Sequence, residues 1–86
     1  MNRSEVYAAI NSERGYQDSM TAQADRPDMI DPMPMPAILL AMEKCLSDAR
    51  AQWYSDATPY QPTMHLVRKV AGLAVKAGEM YGMPSR

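Results

Sequence analysis

The sequence predicts an all-α fold: an antiparallel two-helix hairpin plus a shorter N-terminal helix, completed by homo-oligomerisation. Three observations carry this. Residues 36–54 and 63–81 each repeat apolar side chains at alternating spacings of three and four, which draws one face on a helix of 3.6 residues per turn. The stretch between them, Ser-Asp-Ala-Thr-Pro-Tyr-Gln-Pro at 55–62, is turn chemistry and short enough to fold the second of these helices back on the first. Upstream, Pro27, Pro32 and Pro34 forbid a regular helix or central strand, which sets the N-terminal helix apart. The chain, residues 1–86, reads as one helical domain.

The first helix is predicted over 4–18. Ser4 is a good N-cap, and Glu5 sits in the first turn near the positive helix end. Val6, Ala9 and Ile10 make a short apolar stripe with Tyr7 beside it, and Gly15 weakens the last turn. Residues 19–35 form a Met/Pro-rich arm. Its Met20, Met29, Ile30, Met33 and Met35 are too apolar for a solvated linker, so an ordered arm on its own or a neighbouring subunit is expected.

The second helix, 36–54, opens on Pro36, since a missing N–H is harmless at the first helical position. Leu39, Met42, Leu46, Ala49 and Trp53 form its stripe, widened by Ile38 and Cys45. The third helix, 63–81, is capped by Thr63. It carries Leu66, Val70, Leu73, Ala77 and Met80 on one seam and Val67, Ala74 and Tyr81 on a second. A face this wide suits two neighbours, and the second is expected from another subunit. Gly82 ends the helix and Pro84 prevents its resumption. Ala71, Gly72, Ala74, Ala77 and Gly78 permit close backbone approach.

A chain of 86 residues buries only about 60–65% of its unfolded surface, so small domains usually add a disulfide, a metal or a partner subunit. Cys45 is the only cysteine and His65 the only histidine, so an internal disulfide and a Cys/His zinc site are both excluded. Oligomerisation remains. One free thiol, an N-terminus without signal-peptide character and no long apolar run together point to a cytosolic protein without a membrane span. Nine basic against ten acidic residues give a net charge of −1, which argues against a general nucleic-acid binder. Nine Met and no Phe fit either an adaptable contact surface or Met used as core filler.

Catalysis finds little support in the residues. Cys45 lies mid-helix near the apolar stripe, while its only candidate base, His65, begins the next helix. Helical pyrophosphohydrolases hold magnesium with Glu-x-x-Glu and Glu-x-x-Asp pairs. Here Glu43 is followed three residues later by Leu46, and Glu79 by Gly82. No catalytic residue, metal ligand or cofactor is therefore expected. Anion recognition is more open. Arg14 stands beside Tyr16 and Gln17, Arg50 precedes Trp53 and Tyr54, and Arg68 and Lys69 sit on the polar side of the third helix, with Lys76 two turns on. Arginine grips phosphate bidentately and aromatic rings stack on bases. The competing reading makes these charges solvated helix faces and Trp53 a core residue.

Ile10-Asn11-Ser12-Glu13-Arg14-Gly15-Tyr16-Gln17-Asp18 resembles the opening of a group of short proteins from tailed bacteriophages. Leu66-Val67-Arg68-Lys69-Val70-Ala71-Gly72-Leu73-Ala74, with the ending Tyr81-Gly82-Met83-Pro84-Ser85-Arg86, resembles the same group's terminus. The Glu13-Arg14-x-x-Gln17 element is also similar to the first helix of MazG-like all-α nucleotide pyrophosphohydrolases, from which the chain departs by lacking the paired carboxylates. The phage resemblance implies a counter-defence protein of the bacterial host cytosol. On that expectation it is a non-enzymatic homo-oligomer that sequesters a nucleotide-derived immune signal without cleaving it. Arg14 and Arg68, supported by Lys69, would take phosphate; Tyr16 or Trp53 would stack on a base; Gln17 would read an edge. Two alternatives stay open: an inhibitor or adaptor that binds a host protein through the Met-rich arm, and a degenerate MazG-like hydrolase.

Overall fold

The computed structural model describes residues 1–21, 33–55 and 61–86. They form three helices, α1 (Arg3–Thr21), α2 (Met35–Ser55) and α3 (Gln61–Tyr81), with no strand among the described residues. The fold is all-α, as the periodicity predicts. α3 is the middle helix: it packs against both α2 and α1, which do not pack on each other. The Tyr81 hydroxyl lies 3.5 Å from the Met33 carbonyl oxygen, so the end of α3 lies beside the start of α2 and that pair is antiparallel.

α1 is longer than predicted. At 19 residues it is still the shorter element expected, against the 21 of α2 and of α3. Its cap is Asn2, not Ser4. The Asn2 side-chain oxygen accepts from the Glu5 backbone N–H at 2.8 Å, and Glu5 Oε1 accepts in return from the Asn2 N–H at 3.2 Å. This reciprocal capping box satisfies two orphan donors, and only a residue three before Glu5 can form it. The helix runs through Gly15 and takes in Ser19 and Met20, which the sequence assigned to the arm. Packing on α3 offsets the ~1 kcal/mol helix penalty of the glycine. Residues 22–32 of the arm, and whether it is ordered there, lie outside the described residues, as do 56–60 of the turn.

α2 starts at Met35. The Pro34 carbonyl accepts from the N–H groups of Ala37 and Ile38 at 3.0 and 3.1 Å, so Pro36 occupies the first turn, where no donor is lost. α3 starts two residues before the expected Thr63, which lies inside the helix. It ends as predicted: Gly82 takes a left-handed φ of 86°, and its N–H donates to the Gly78 carbonyl at 2.9 Å.

The core register of α2 differs from the predicted stripe. Ile38 is wholly buried and Ala49 nearly so, with Ala41, Met42 and Cys45 half-buried between them. Leu39, Leu46 and Trp53, expected at the centre of the stripe, are each about half exposed. One residue turns a helix by about 100°, so the buried line runs through the residues taken as the widening edge. On α3, Leu66, Val70, Leu73, Ala77 and Met80 are all half-buried, as the first predicted seam requires. The second neighbour of α3 is α1 of the same chain, and it is met along Arg68, Gly72 and Glu79, with Val67 lining the groove at one end of that contact; Tyr81 lies instead beside Met33 at the start of α2.

At Gly72 the side chains of α1 come close against the α3 backbone. A Cβ there would stand 2.8 Å from Glu13 Cγ and 2.9 Å from Gln17 Nε2, whereas one on Gly15 would meet nothing within 4 Å. Opposite outcomes are expected from the same change. Gly15→Ala should stabilise by about 0.5–1 kcal/mol through helix propensity. Gly72→Ala should destabilise by about 1–3 kcal/mol, because overpacking outweighs that gain. Urea unfolding of both variants checks the pair, and stabilisation by Gly72→Ala would contradict the close approach.

Candidate functional site

The α1–α3 seam is polar where an apolar one is the usual solution. It begins as hydrocarbon: Val6, Ala9 and Ile10 of α1 and Met64, Val67 and Ala71 of α3 line an open groove of about 360 Å³. One turn further along α1, charge takes over. Glu13 and Arg14 are only 6% and 8% exposed.

Each buried group there is matched by a partner. Glu13 Oε1 accepts from Arg68 Nε at 2.9 Å, and Glu13 Oε2 accepts from Gln17 Nε2 at 3.0 Å. Gln17 Nε2 also lies 3.3 Å from the Lys69 carbonyl oxygen, and Gln17 Oε1 accepts from Arg14 Nη1 at 2.9 Å. Arg14 spends its other nitrogens on carboxylates, Nη2 on Asp18 at 2.7 Å and Nε on Glu79 at 3.0 Å. Arg68 Nη1 lies 2.7 Å from His65 Nδ1. In that contact the guanidinium is the donor, since it can only donate. No buried side-chain nitrogen or oxygen is left without a partner among the described residues. The helical repeat explains the local half of this network: Glu13 to Gln17 and Arg14 to Asp18 are i,i+4 pairs on one side of α1.

The structure sorts the expected ligand-binding residues into three groups. Tyr16, Arg68 and Lys69 come together, lining with Ala9, Ser12 and Glu13 an open depression of about 480 Å³. Two cations there stand against the one carboxylate of Glu13. Tyr16 is half exposed, and Arg68 is held through Nε by Glu13 and through Nη1 by His65. Arg14 and Gln17 are close by but committed: all three guanidinium nitrogens of Arg14 and both ends of the Gln17 amide have protein partners, so neither is open to a ligand without breaking the network. Trp53 is on α2, which does not pack on α1, and does not line that depression.

Two carboxylates of this seam lie outside the expected binding residues: Glu13 positions Arg68, and Glu79 anchors Arg14. Gly72, one of the small residues expected to permit close approach, makes room for both Glu13 and Gln17. Cys45 and His65 do not form a pair: Cys45 is half-buried on α2, while His65 is bonded to Arg68 on the α1 side of α3. Among the described residues no group of His, Cys, Asp and Glu is arranged to hold a metal ion, and no helix is long and apolar enough to cross a membrane. The chain matches no family model, no curated protein and no solved structure.

Proposed function

We propose that this chain is a non-enzymatic binding protein of the phage counter-defence kind, which takes a small nucleotide-derived signal at the α1–α3 seam and withholds it in the host cytosol. The observation that carries the reading is the convergence of Tyr16, Arg68 and Lys69, from two helices, on one depression. Arg68 is already fixed through Nε and Nη1, so little side-chain freedom is lost when its remaining nitrogen, Nη2, meets a phosphate. Lys69 adds a mobile point charge, and the exposed Tyr16 ring offers a face for a base. Sequestration needs no nucleophile, base or metal.

Calorimetry against cyclic di- and trinucleotides and ADP-ribose derivatives tests it. At least one should bind at micromolar concentration or tighter. Lys69→Glu should weaken that affinity at least tenfold, about 1.4 kcal/mol, and added salt should weaken it further. Absence of binding across the panel would remove the proposal.

A second reading, an inhibitor or adaptor that docks on a host protein, draws on the apolar groove between α1 and α3, where Val6, Met64 and Val67 are exposed. A stoichiometric host partner that is lost on Val67→Glu, within the groove, would favour it over the ligand reading.

A further inference from the structure

The outward face of α2 is apolar along its length. Leu39, Leu46 and Trp53 are spaced by seven residues, so they fall on one line along the helix; Leu40 and Tyr54 flank it, and all five are at least half exposed. Between the flanking rows, and also seven apart, stand Glu43 and Arg50. The other charges of this helix are settled locally, since Lys44 donates to Asp48 at 2.8 Å, while Glu43 and Arg50 have no ion-pair partner among the described residues. Inside the fold the chain has little to spare: Ile38 and Ala49 are the only buried apolar side chains among the described residues.

We infer that α2 pairs with α2 of a second copy, antiparallel, about a two-fold axis at Leu46. The face is self-complementary only in that sense. Antiparallel pairing about Leu46 sets Leu39 and Leu40 of one chain against Trp53 and Tyr54 of the other, and it sets Glu43 opposite Arg50 twice, once on each side of the axis. Parallel pairing would place Glu43 on Glu43 and Arg50 on Arg50, and like charges across a helix pair select against that orientation. A two-fold contact of this kind uses the same patch on both subunits and closes without exposing a new one. From Leu39 to Trp53 the contact runs about 21 Å along the helix, about four turns of continuous apolar face. The inference is independent of the ligand reading, because Tyr16, Arg68 and Lys69 lie at the α1–α3 seam.

Sedimentation equilibrium of the full chain checks it, with circular dichroism to confirm that each variant keeps its helix content. The wild-type mass should rise with concentration to twice the 9.6 kDa of the chain, and the emission of Trp53, the only tryptophan, should shift to the blue as it does. E43R puts cations opposite Arg50 at both sites and should weaken the dimer at least tenfold. The double variant E43R/R50E exchanges the charges and should restore it. Leu46→Lys, on the axis, should leave a monomer. A monomeric wild type at every concentration, a dimer indifferent to E43R, or a loss that the double variant does not repair would each overturn the arrangement.

Discussion

Replacing Glu13 with alanine is expected to destabilise the fold by about 3–4 kcal/mol, within the roughly 3–5 kcal/mol found when one partner of a buried ion pair is removed. The carboxylate is 6% exposed and accepts from Arg68 Nε and Gln17 Nε2 at 2.9 and 3.0 Å. Alanine leaves both donors facing a cavity. The guanidinium is about one-third exposed and recovers some hydration, which holds the loss toward the lower end of that range. For a domain of this size each kcal/mol is worth about 4–8 °C, so the midpoint should fall by roughly 12–32 °C. Glu13→Gln keeps the shape and one acceptor and should lose about half as much. A double-mutant cycle with Arg68→Ala should give a coupling of about 1–2 kcal/mol. A loss below about 0.5 kcal/mol for Glu13→Ala would mean that the carboxylate is solvated and that the seam is held by its hydrocarbon end alone.

The Lys44–Asp48 pair illustrates the opposite limit. Its hydrogen bond to Asp48, and then the charge of that carboxylate, raise the Lys44 pKa above its ordinary 10.5. A raised lysine contributes below its unfolded pKa and loses that contribution as pH climbs through the folded one. Across the neutral range this pair is therefore constant, and it lies wholly on the surface.

What the sequence made legible follows from where the information sits. Helix ends were readable because Gly82 and Pro36 act through their own backbone, although Asn2 was passed over for the nearer Ser4. The all-α class and the hairpin were readable because apolar spacing reports a helical face directly. The rotation of α2 was not. Ile38 and Cys45 are as apolar as Leu39 and Leu46, and a stripe with hydrocarbon on both edges does not say which edge faces α3. The polar seam was half legible. Glu13, Arg14, Gln17 and Asp18 have i,i+3 and i,i+4 spacing, but Arg68 stands 55 residues from Glu13 and Glu79 stands 65 from Arg14, and only the packing of α1 on α3 joins them. Hence Tyr16, Arg68 and Lys69 were named without the residue that positions the arginine. Trp53 was grouped with them because residue type, not place, drew the list.

Ile38→Ala tests the α2 register and should have the other large effect. Ile38 is 0% exposed, and truncating a buried isoleucine removes its transfer energy and leaves a cavity, about 3–4 kcal/mol together. Leu39→Ala removes nearly the same hydrocarbon from a side chain 51% exposed and should destabilise the monomer by only about 1 kcal/mol. Urea unfolding at protein concentrations low enough to exclude self-association separates the two, and Ile38→Val should fall near 1 kcal/mol. The reverse order would turn the Leu39 row inward and remove the α2 pairing face with it. Because Ile38 and Glu13 serve different sides of α3, their losses should add to within about 0.5 kcal/mol. Against a total of about 5–15 kcal/mol for an ordinary domain, the double variant should then be largely unfolded, and binding at the α1–α3 seam should vanish although no residue of the depression except Glu13 has changed.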